Sequence, residues 1–549
     1  MRTAPQRAAL VGAVIAAIVT LPGLGIGTLW DNSETAYGEV AREVLLYHDA
    51  VVMHFNGAPW FIQPPLYFWL AALCAKLLGI GTLAMRLPSA LASIATGALV
   101  GYGTCRIAGF RAGIYASVVL STSVMQAIVG RLAIMDALLD LFVAAAIFAL
   151  FASLQPEDWR LSIARRRAAA WYWAWIAMAL GVLAKGPVAL VIPLLVVVAW
   201  LFWEARDGRV IVLPGPRAWL GAIALFLSIV APWFVLSQLR VGSVGIGELV
   251  GHYSIGRYVG TIEGQTGPVW YYVPALILGF FPWIAFVPAA LWSASRVAVN
   301  DRDAALVRLA LLWAILPFLF FSFAQTKLPN YVALELPALA ILVALWFERV
   351  SDGEHRRAAV ASGLIVPVAL AVVAIAVTSF TSNMRLTDAL GAIADDVRVL
   401  GIVMGAGALI TFLLLARVGW ANRALYALGT TTAVALLFIA VVVEPHVEPF
   451  KPIPQLAAIV MREHRPGDEV VIQSVAGANA LLFYTEPKVV MLPPPDDPRR
   501  TLCSAKRVFY VAPKDGATPE PSNGRTRRLI ATSGKDGLFL YEGPACAGD

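Results

Sequence analysis

Acids and bases are scarce in this chain, so the places where they gather are the places to look for chemistry. The segment Trp30-Asp31-Asn32-Ser33-Glu34-Thr35-Ala36-Tyr37-Gly38-Glu39-Val40-Ala41-Arg42-Glu43 crowds four acids at the exit of an apolar run. A charged group that close to lipid must find water, a partner or a function. Held there, Asp31 or Glu34 can take the proton of an attacking hydroxyl as a general base. The plainer account is an amphipathic surface helix, with Ser33 as N-cap and Glu34 complementing the helix dipole. Glu39 and Glu43 fit ordinary surface pairing with Arg42.

The same loop closes on Trp60-Phe61-Ile62-Gln63-Pro64-Pro65-Leu66-Tyr67-Phe68-Trp69. The double proline fixes the backbone where the chain re-enters lipid and the aromatics anchor it at the interface, which leaves polar Gln63 unexplained. Further on come Gly130-Arg131-Leu132-Ala133-Ile134-Met135-Asp136, Lys185-Gly186-Pro187, Arg257, and Gln325-Thr326-Lys327-Leu328-Pro329-Asn330-Tyr331. Each puts a cation at one end of an apolar run. Arg131 could simply pair with Asp136, and any one Lys could be snorkelling. Taken together, cations beside hydroxyls and an acid suit a phosphate diester leaving group next to a nucleophile that must lose a proton.

The elements that position these groups are membrane helices. Hydrophobic residues make up 59% of the 549-residue chain and charged residues 14%, at a mean hydropathy of +0.74. Soluble domains carry about a quarter charged residues, so this composition excludes a disordered chain or a cytosolic enzyme and points to lipid. The net charge of +7 comes from Arg in short loops between apolar runs, where it sets topology, and implies no nucleic-acid partner. Fourteen apolar windows approach the length of a span: 8–28, 65–82, 87–104, 110–129, 132–153, 171–184, 187–203, 218–238, 271–293, 304–323, 331–348, 358–379, 397–416 and 422–443. Placing the N-terminus inside puts nineteen Lys and Arg in inner loops against eight in outer ones. Parity then requires that one of the windows 65–82 and 87–104 does not span fully, giving about 13 crossings and an outer C-terminus.

This expectation divides the chain into a membrane domain, residues 1–443, with outer loops at 30–63 and 239–270, and an outer domain, residues 444–549. In the latter, short β-branched runs at Val470–Ile472, Lys488–Leu492 and Arg507–Val511, with a helical Pro454–His464, read as a small α/β domain. No Cys/His spacing suggests zinc, and a Cys503–Cys546 disulfide is allowed outside the membrane. No internal repeat is found.

Five motifs, in order, resemble one known family: Trp30 to Glu43, Gln63 to Leu70, Arg131 to Asp136, Lys185 to Pro187 and Phe321 to Tyr331. They are similar to lipid-carrier-dependent glycosyltransferases of the C-type superfold, near the bacterial aminoarabinose transferases that modify lipid A and more distantly the protein O-mannosyltransferases. The resemblance implies an inner-membrane enzyme, periplasmic at its C-terminus, that moves a sugar from an undecaprenyl phosphate carrier to a lipid A-like or other envelope acceptor. Carried over by position, Glu34 and Tyr37 match the first-loop pattern and Lys327 and Tyr331 the later one. Two departures stand out. Ser33-Glu34 followed by Ala36 replaces an Asp-Glu pair followed by Arg, so Asp31 joins Glu34 as candidate base. Gln63 replaces a phosphate-holding Lys, so another cation must serve.

The expected site is therefore Asp31 and Glu34 as catalytic acids, Arg131, Arg257, Lys327 and Lys185 around the donor phosphate, and Tyr37, Gln63, Asp136 and Tyr331 shaping the pocket. No cofactor or metal is required, although a divalent cation between Asp31 and Glu34 is allowed, and a monomer is expected. A transporter or flippase of lipid-linked sugars is the rival; it would place more ionisable residues in mid-helix than Lys76, Asp140 and Glu335. The motifs also admit a protein O-glycosyltransferase, and the outer domain by itself would suit a structural protein that binds other envelope proteins.

Overall fold

The computed structural model describes residues 3–30, 33–154, 164–242, 247–261, 264–296, 303–383, 391, 393–475, 478–485, 488–492, 496–499, 501–514, 519 and 524–544. Its membrane part is a bundle whose helices are apolar on nearly every face, as burial on one side and lipid on the other require. The principal helices are α1 (Ala4–Thr20), α2 (Ser33–Leu46), α3 (Leu66–Leu78), α4 (Thr82–Ala108), α5 (Phe110–Ser121), α6 (Val124–Arg131), α7 (Asp136–Ser153), α8 (Ala164–Lys185), α9 (Val188–Arg206) and α10 (Pro216–Val241). They continue with α11 (Tyr272–Gly279), α12 (Val287–Ala294), α13 (Ala304–Phe323), α14 (Leu336–Ser351), α15 (Arg356–Asn383), α16 (Ala394–Leu415) and α17 (Ala421–Phe438).

Among the described residues nine helices are long and apolar enough to cross a bilayer, or up to eleven if each of two bent pairs is one span. The bent pairs correct the expectation of straight spans at 110–129 and 271–293. The first breaks by 65° between Ser121 and Val124, where Thr122 and Ser123 turn their hydroxyls onto the Val118 and Leu120 carbonyls and compete with the helix ladder. The second bends by 108° around Pro282, which has no N–H to continue the ladder. Of the two windows in question, 65–82 is the short one: α3 has 13 residues, about 20 Å at 1.5 Å per residue, against a core of about 30 Å. The 87–104 window begins too late, because α4 starts at Thr82 and takes Arg86 inside the helix.

Small residues let the backbones approach where no hydrophobic force drives helix against helix. Gly12 on α1 faces Gly97 on α4 and Ser117 on α5 so closely that a Cβ would run into the Gly97 carbonyl and the Ser117 Oγ. Three buried tryptophans satisfy their indole N–H groups, Trp200 on the Ala305 carbonyl at 3.2 Å, Trp313 on that of Leu334 at 2.8 Å and Trp283 on Thr122 Oγ1 at 3.0 Å. At the end of the bundle away from Lys185, Arg308 joins Glu204 at 3.0 Å and Asp207 at 2.6 Å.

The first outer loop folds as α2 followed by a hairpin of β1 (His54–Phe55) and β2 (Ala58–Pro59), turned by Asn56 and Gly57 at φ 51° and 75°. Ser33, expected as N-cap, already lies inside α2.

The C-terminal region packs α18 (Pro452–Glu463) and α19 (Asn479–Tyr484) on a five-stranded sheet. Its strands are β3 (Glu469–Gln473), β4 (Lys488–Leu492), β5 (Arg507–Pro513), β6 (Thr526–Ser533) and β7 (Asp536–Glu542), in the order β4-β3-β5-β7-β6. The first three are mutually parallel and the last two antiparallel. Val470, Ile472, Phe509 and Leu540 face the helices; Val471, Val508, Tyr510 and Tyr541 pack on the opposite face. Cys503 is disulfide-bonded, Cys74 and Cys105 are free, and Cys546 lies outside the described residues.

This tail sits directly on the first loop. Tyr484 accepts the Leu29 N–H at 2.7 Å, Arg42 donates to the Leu482 carbonyl at 3.3 Å and Asn56 to that of Val489 at 3.2 Å. Just before it, Lys451 lies 4.0 Å from the Trp30 ring centroid and Glu448 accepts from the Thr28 N–H at 3.0 Å.

Candidate functional site

One cavity of about 320 Å³ gathers much of the predicted set. Gln63 arrives from the double-proline turn, Asp136 from the start of α7, Lys185 from the end of α8, Arg257 from the second outer loop and Tyr331 from the turn Pro329–Glu335. Five segments far apart in sequence thus meet at one end of the bundle, as their placement at the ends of apolar runs predicts. The walls are mainly apolar, with Leu139, Val188, Leu249 and Phe321, and the lining includes the exposed Val191 and Val259. An apolar pocket with a few convergent polar groups is the usual form of a ligand site.

Asp136 is held from two sides, by Lys185 Nζ and by Asn330 Nδ2, which donates to Oδ1 at 2.6 Å. Lys185 also stands 5.0 Å from the Tyr331 ring centroid, so its ammonium meets both a carboxylate and a π face. The Arg257 guanidinium lies across the cavity, 5.8 Å from the Tyr253 ring centroid. Its loop is pinned by backbone bonds from Gln325 to the Tyr258 carbonyl and from Thr326 to that of Arg257, each at 3.0 Å.

Of the remaining expected site residues, Glu34, Arg131, Lys327 and Tyr37 do not line this cavity. Asp31 lies outside the described residues. Glu34 is 2% exposed and does not line the cavity. Its carboxylate accepts two bonds from Arg86, at 3.0 and 2.9 Å, one from the Trp30 N–H at 2.7 Å and one from the Ala133 N–H. Arg86, 1% exposed, reaches on to Glu444 at 3.2 Å. A carboxylate so engaged is a bracket between the first loop, α4, the 132–135 turn that carries Asp136 and the chain after α17. That geometry places Glu34 away from the cavity, with its carboxylate engaged by the protein itself.

Arg131 donates through Nη1 to the Thr20 and Pro22 carbonyls, both at 2.8 Å, and does not line the cavity. Nor does Lys327, 4% exposed, whose ammonium caps the end of α13 by bonds to the Ser322 and Ala324 carbonyls at 2.7 Å. Burial lowers its pKa below the ordinary lysine value. Tyr37 packs edge-on among Trp60, Tyr67 and Phe68 beneath the first loop.

The site also holds residues that the motifs do not single out. Asn330 occupies the variable position of the Lys-Leu-Pro-x-Tyr motif, and nothing in sequence marks it. Arg86 did carry a signal, as one of only two charges in a 27-residue apolar helix, the other being Arg106 in its last turn. Asp140 lines the cavity one turn below Asp136. Among the described residues no three His, Cys, Asp or Glu side chains converge as a metal-ligand set.

The family of dolichyl-phosphate-mannose-protein mannosyltransferases matches residues 62–235. The undecaprenyl phosphate-alpha-4-amino-4-deoxy-L-arabinose arabinosyl transferase of Edwardsiella ictaluri is 32% identical over 350 residues, covering 63% of this chain and 60% of that protein. The corresponding protein of Erwinia tasmaniensis is 29% identical over 344 residues, covering 62% and 59%. The matched region thus spans about 60% of the length of these relatives. The fold agrees over 97% of both chains with ArnT from Cupriavidus metallidurans bound to undecaprenyl phosphate, at a TM-score of 0.79 and 22% identity. The Archaeoglobus fulgidus oligosaccharyltransferase aligns at a TM-score of 0.52 and 12% identity over 93% of this chain and 69% of that one. The chain therefore has the C-type glycosyltransferase fold.

Proposed function

We propose that the chain transfers a sugar from a polyprenyl phosphate carrier, undecaprenyl phosphate in bacteria, to a hydroxyl of an envelope acceptor such as lipid A. The observation that supports this best is the meeting of Asp136, Lys185, Arg257, Gln63 and Tyr331 around one largely apolar cavity. The activity of the sequence relatives is consistent with it.

In this reading the acceptor oxygen attacks the anomeric carbon, the bond from that carbon to the phosphate oxygen breaks, and the carrier phosphate leaves with the bonding pair. Attack opposite the leaving group inverts the configuration. Arg257 faces the departing phosphate, and Asp136, positioned by Lys185 and Asn330, accepts the hydroxyl proton. Asp31, on the first loop, is the second candidate for that proton. Tyr331 and Gln63 shape the ring pocket. These cations supply the positive charge the leaving group needs, so transfer is expected to survive chelation of divalent ions. The N-terminus is cytoplasmic in this reading and the C-terminal domain periplasmic, which an alkaline phosphatase fusion after Val443 checks by being active.

The test is transfer by the purified full chain in detergent from a radiolabelled polyprenyl-phosphate sugar. Asp136→Asn and Arg257→Ala are each expected to lower kcat about a hundredfold or more. Full transfer by both variants overturns the reading. Mass spectrometry of lipid A and other envelope glycans, with and without the protein, identifies the acceptor.

A further inference from the structure

We infer that Asp140, backed by Glu335, is the subsite that recognises a positively charged amino group on the donor sugar, an assignment that rests on the transferase reading above.

Asp140 follows Asp136 by four residues on α7, so both carboxyls share one helix face about 6 Å apart along the axis. Asp136 sits at the rim and is answered by Lys185 and Asn330. Asp140 lies a turn deeper, lines the same cavity, is 2% exposed, and its Oδ2 has no hydrogen-bond partner. Glu335, 1% exposed, ends the turn that delivers Asn330 and Tyr331, and it interacts electrostatically with Asp140. Its Oε2 is also without a partner.

Two carboxyls against an apolar wall are costly unless each holds a proton or a cation arrives. Lys185, the cation that acts on Asp140 electrostatically, is already bonded to Asp136. A ligand is the remaining source. An ammonium brings three N–H donors and one positive charge, which matches a pair of adjacent acceptors; a hydroxyl brings one donor and no charge. With the carrier phosphate against Arg257 and the anomeric carbon near Asp136, the ring position opposite the anomeric carbon points down the wall toward Asp140. An amine at that position would meet the Asp140 carboxyl, with the charge of Glu335 behind it.

The test uses the full chain in detergent with two carrier lipids, undecaprenyl phosphate bearing 4-amino-4-deoxy-arabinose and undecaprenyl phosphate bearing arabinose. Binding is read by native mass spectrometry and transfer by radiolabel. The wild type is expected to favour the amine lipid in both. Asp140→Asn should collapse the amine-to-hydroxyl ratio by at least about thirtyfold, the loss expected when one partner of a buried charge pair is removed. Glu335→Gln should move the ratio the same way by a smaller factor. Both are near-isosteric, and Glu335→Gln reads the pair independently should Asp140→Asn fold poorly. Equal binding of the two lipids by the wild type overturns this inference alone, as does a ratio unmoved in both variants. Selective binding of the amine lipid without any transfer overturns the transferase reading and leaves the amine subsite standing.

Discussion

Glu34→Gln separates a structural acid from a catalytic one. In the folded chain the Glu34 carboxylate serves four donors, two of them on Arg86. A carboxamide has one oxygen to offer them and turns its own NH2 toward at least one donor. Arg86 would keep Glu444 at 3.2 Å and the Leu24 and Thr28 carbonyls at 3.4 Å, at a buried position. Removing one partner of a buried pair typically costs about 3–5 kcal/mol; with Glu444 still in place we expect about 2–4 kcal/mol. The assay is reversible unfolding in detergent, paired with transfer below the unfolding range. Glu34→Gln should shift unfolding by that amount and lower transfer by no more than about tenfold, through looser placement of Ala133 and Asp136. A double cycle with Arg86→Met should show coupling of at least about 1 kcal/mol between the two positions. Transfer reduced a hundredfold or more with an unmoved unfolding midpoint would show that Glu34 is the base and that the bracket argument is wrong.

Two further expectations follow from particular side chains. Burial and the neighbouring Glu39 push the Glu43 carboxyl up to about 7, so the folded chain holds a proton there that the unfolded chain releases near 4.5. Stability should therefore fall as pH rises through that window and level off above it; the slope should flatten in Glu43→Gln, and an identical pH profile for the two proteins would refute the assignment. Gly12→Ala should destabilise the bundle by about 1–3 kcal/mol, because α1, α4 and α5 must separate to admit one methyl group, and an unchanged unfolding curve would show that they are not so closely packed.

Much of this was legible in the sequence, and the failures have physical causes. Gln63, Asp136, Lys185, Arg257 and Tyr331 all stand where an apolar run ends, and the alternation of Arg-rich loops put those ends on one face. Which of the residues on that face share a cavity is decided by helix packing, which the sequence does not spell out. A lysine at a helix end looks the same whether it caps its own carbonyls, as Lys327 does, or faces a ligand wall, as Lys185 does. The pairing of Glu34 with Arg86 was not legible because that partner sits 52 residues on, in what looks like a loop between two apolar windows. In the tail, the strands at Glu469, Lys488 and Arg507 carry compact apolar runs, whereas β6 is an exposed edge strand bearing Arg527 and Arg528, which hides its periodicity.

The Arg86 bracket also imposes an order on biosynthesis. Glu34 is already made when Arg86 leaves the ribosome, but Glu444 comes 358 residues later. At about 5–20 residues per second that interval is roughly 20–70 s. Throughout it a guanidinium at membrane depth has only half of its eventual counter-ions, and the first loop lacks the tail that will sit on it. Nascent chains that end between Glu335 and Glu444 would carry every cavity residue named above and still lack the Glu444 half of the bracket.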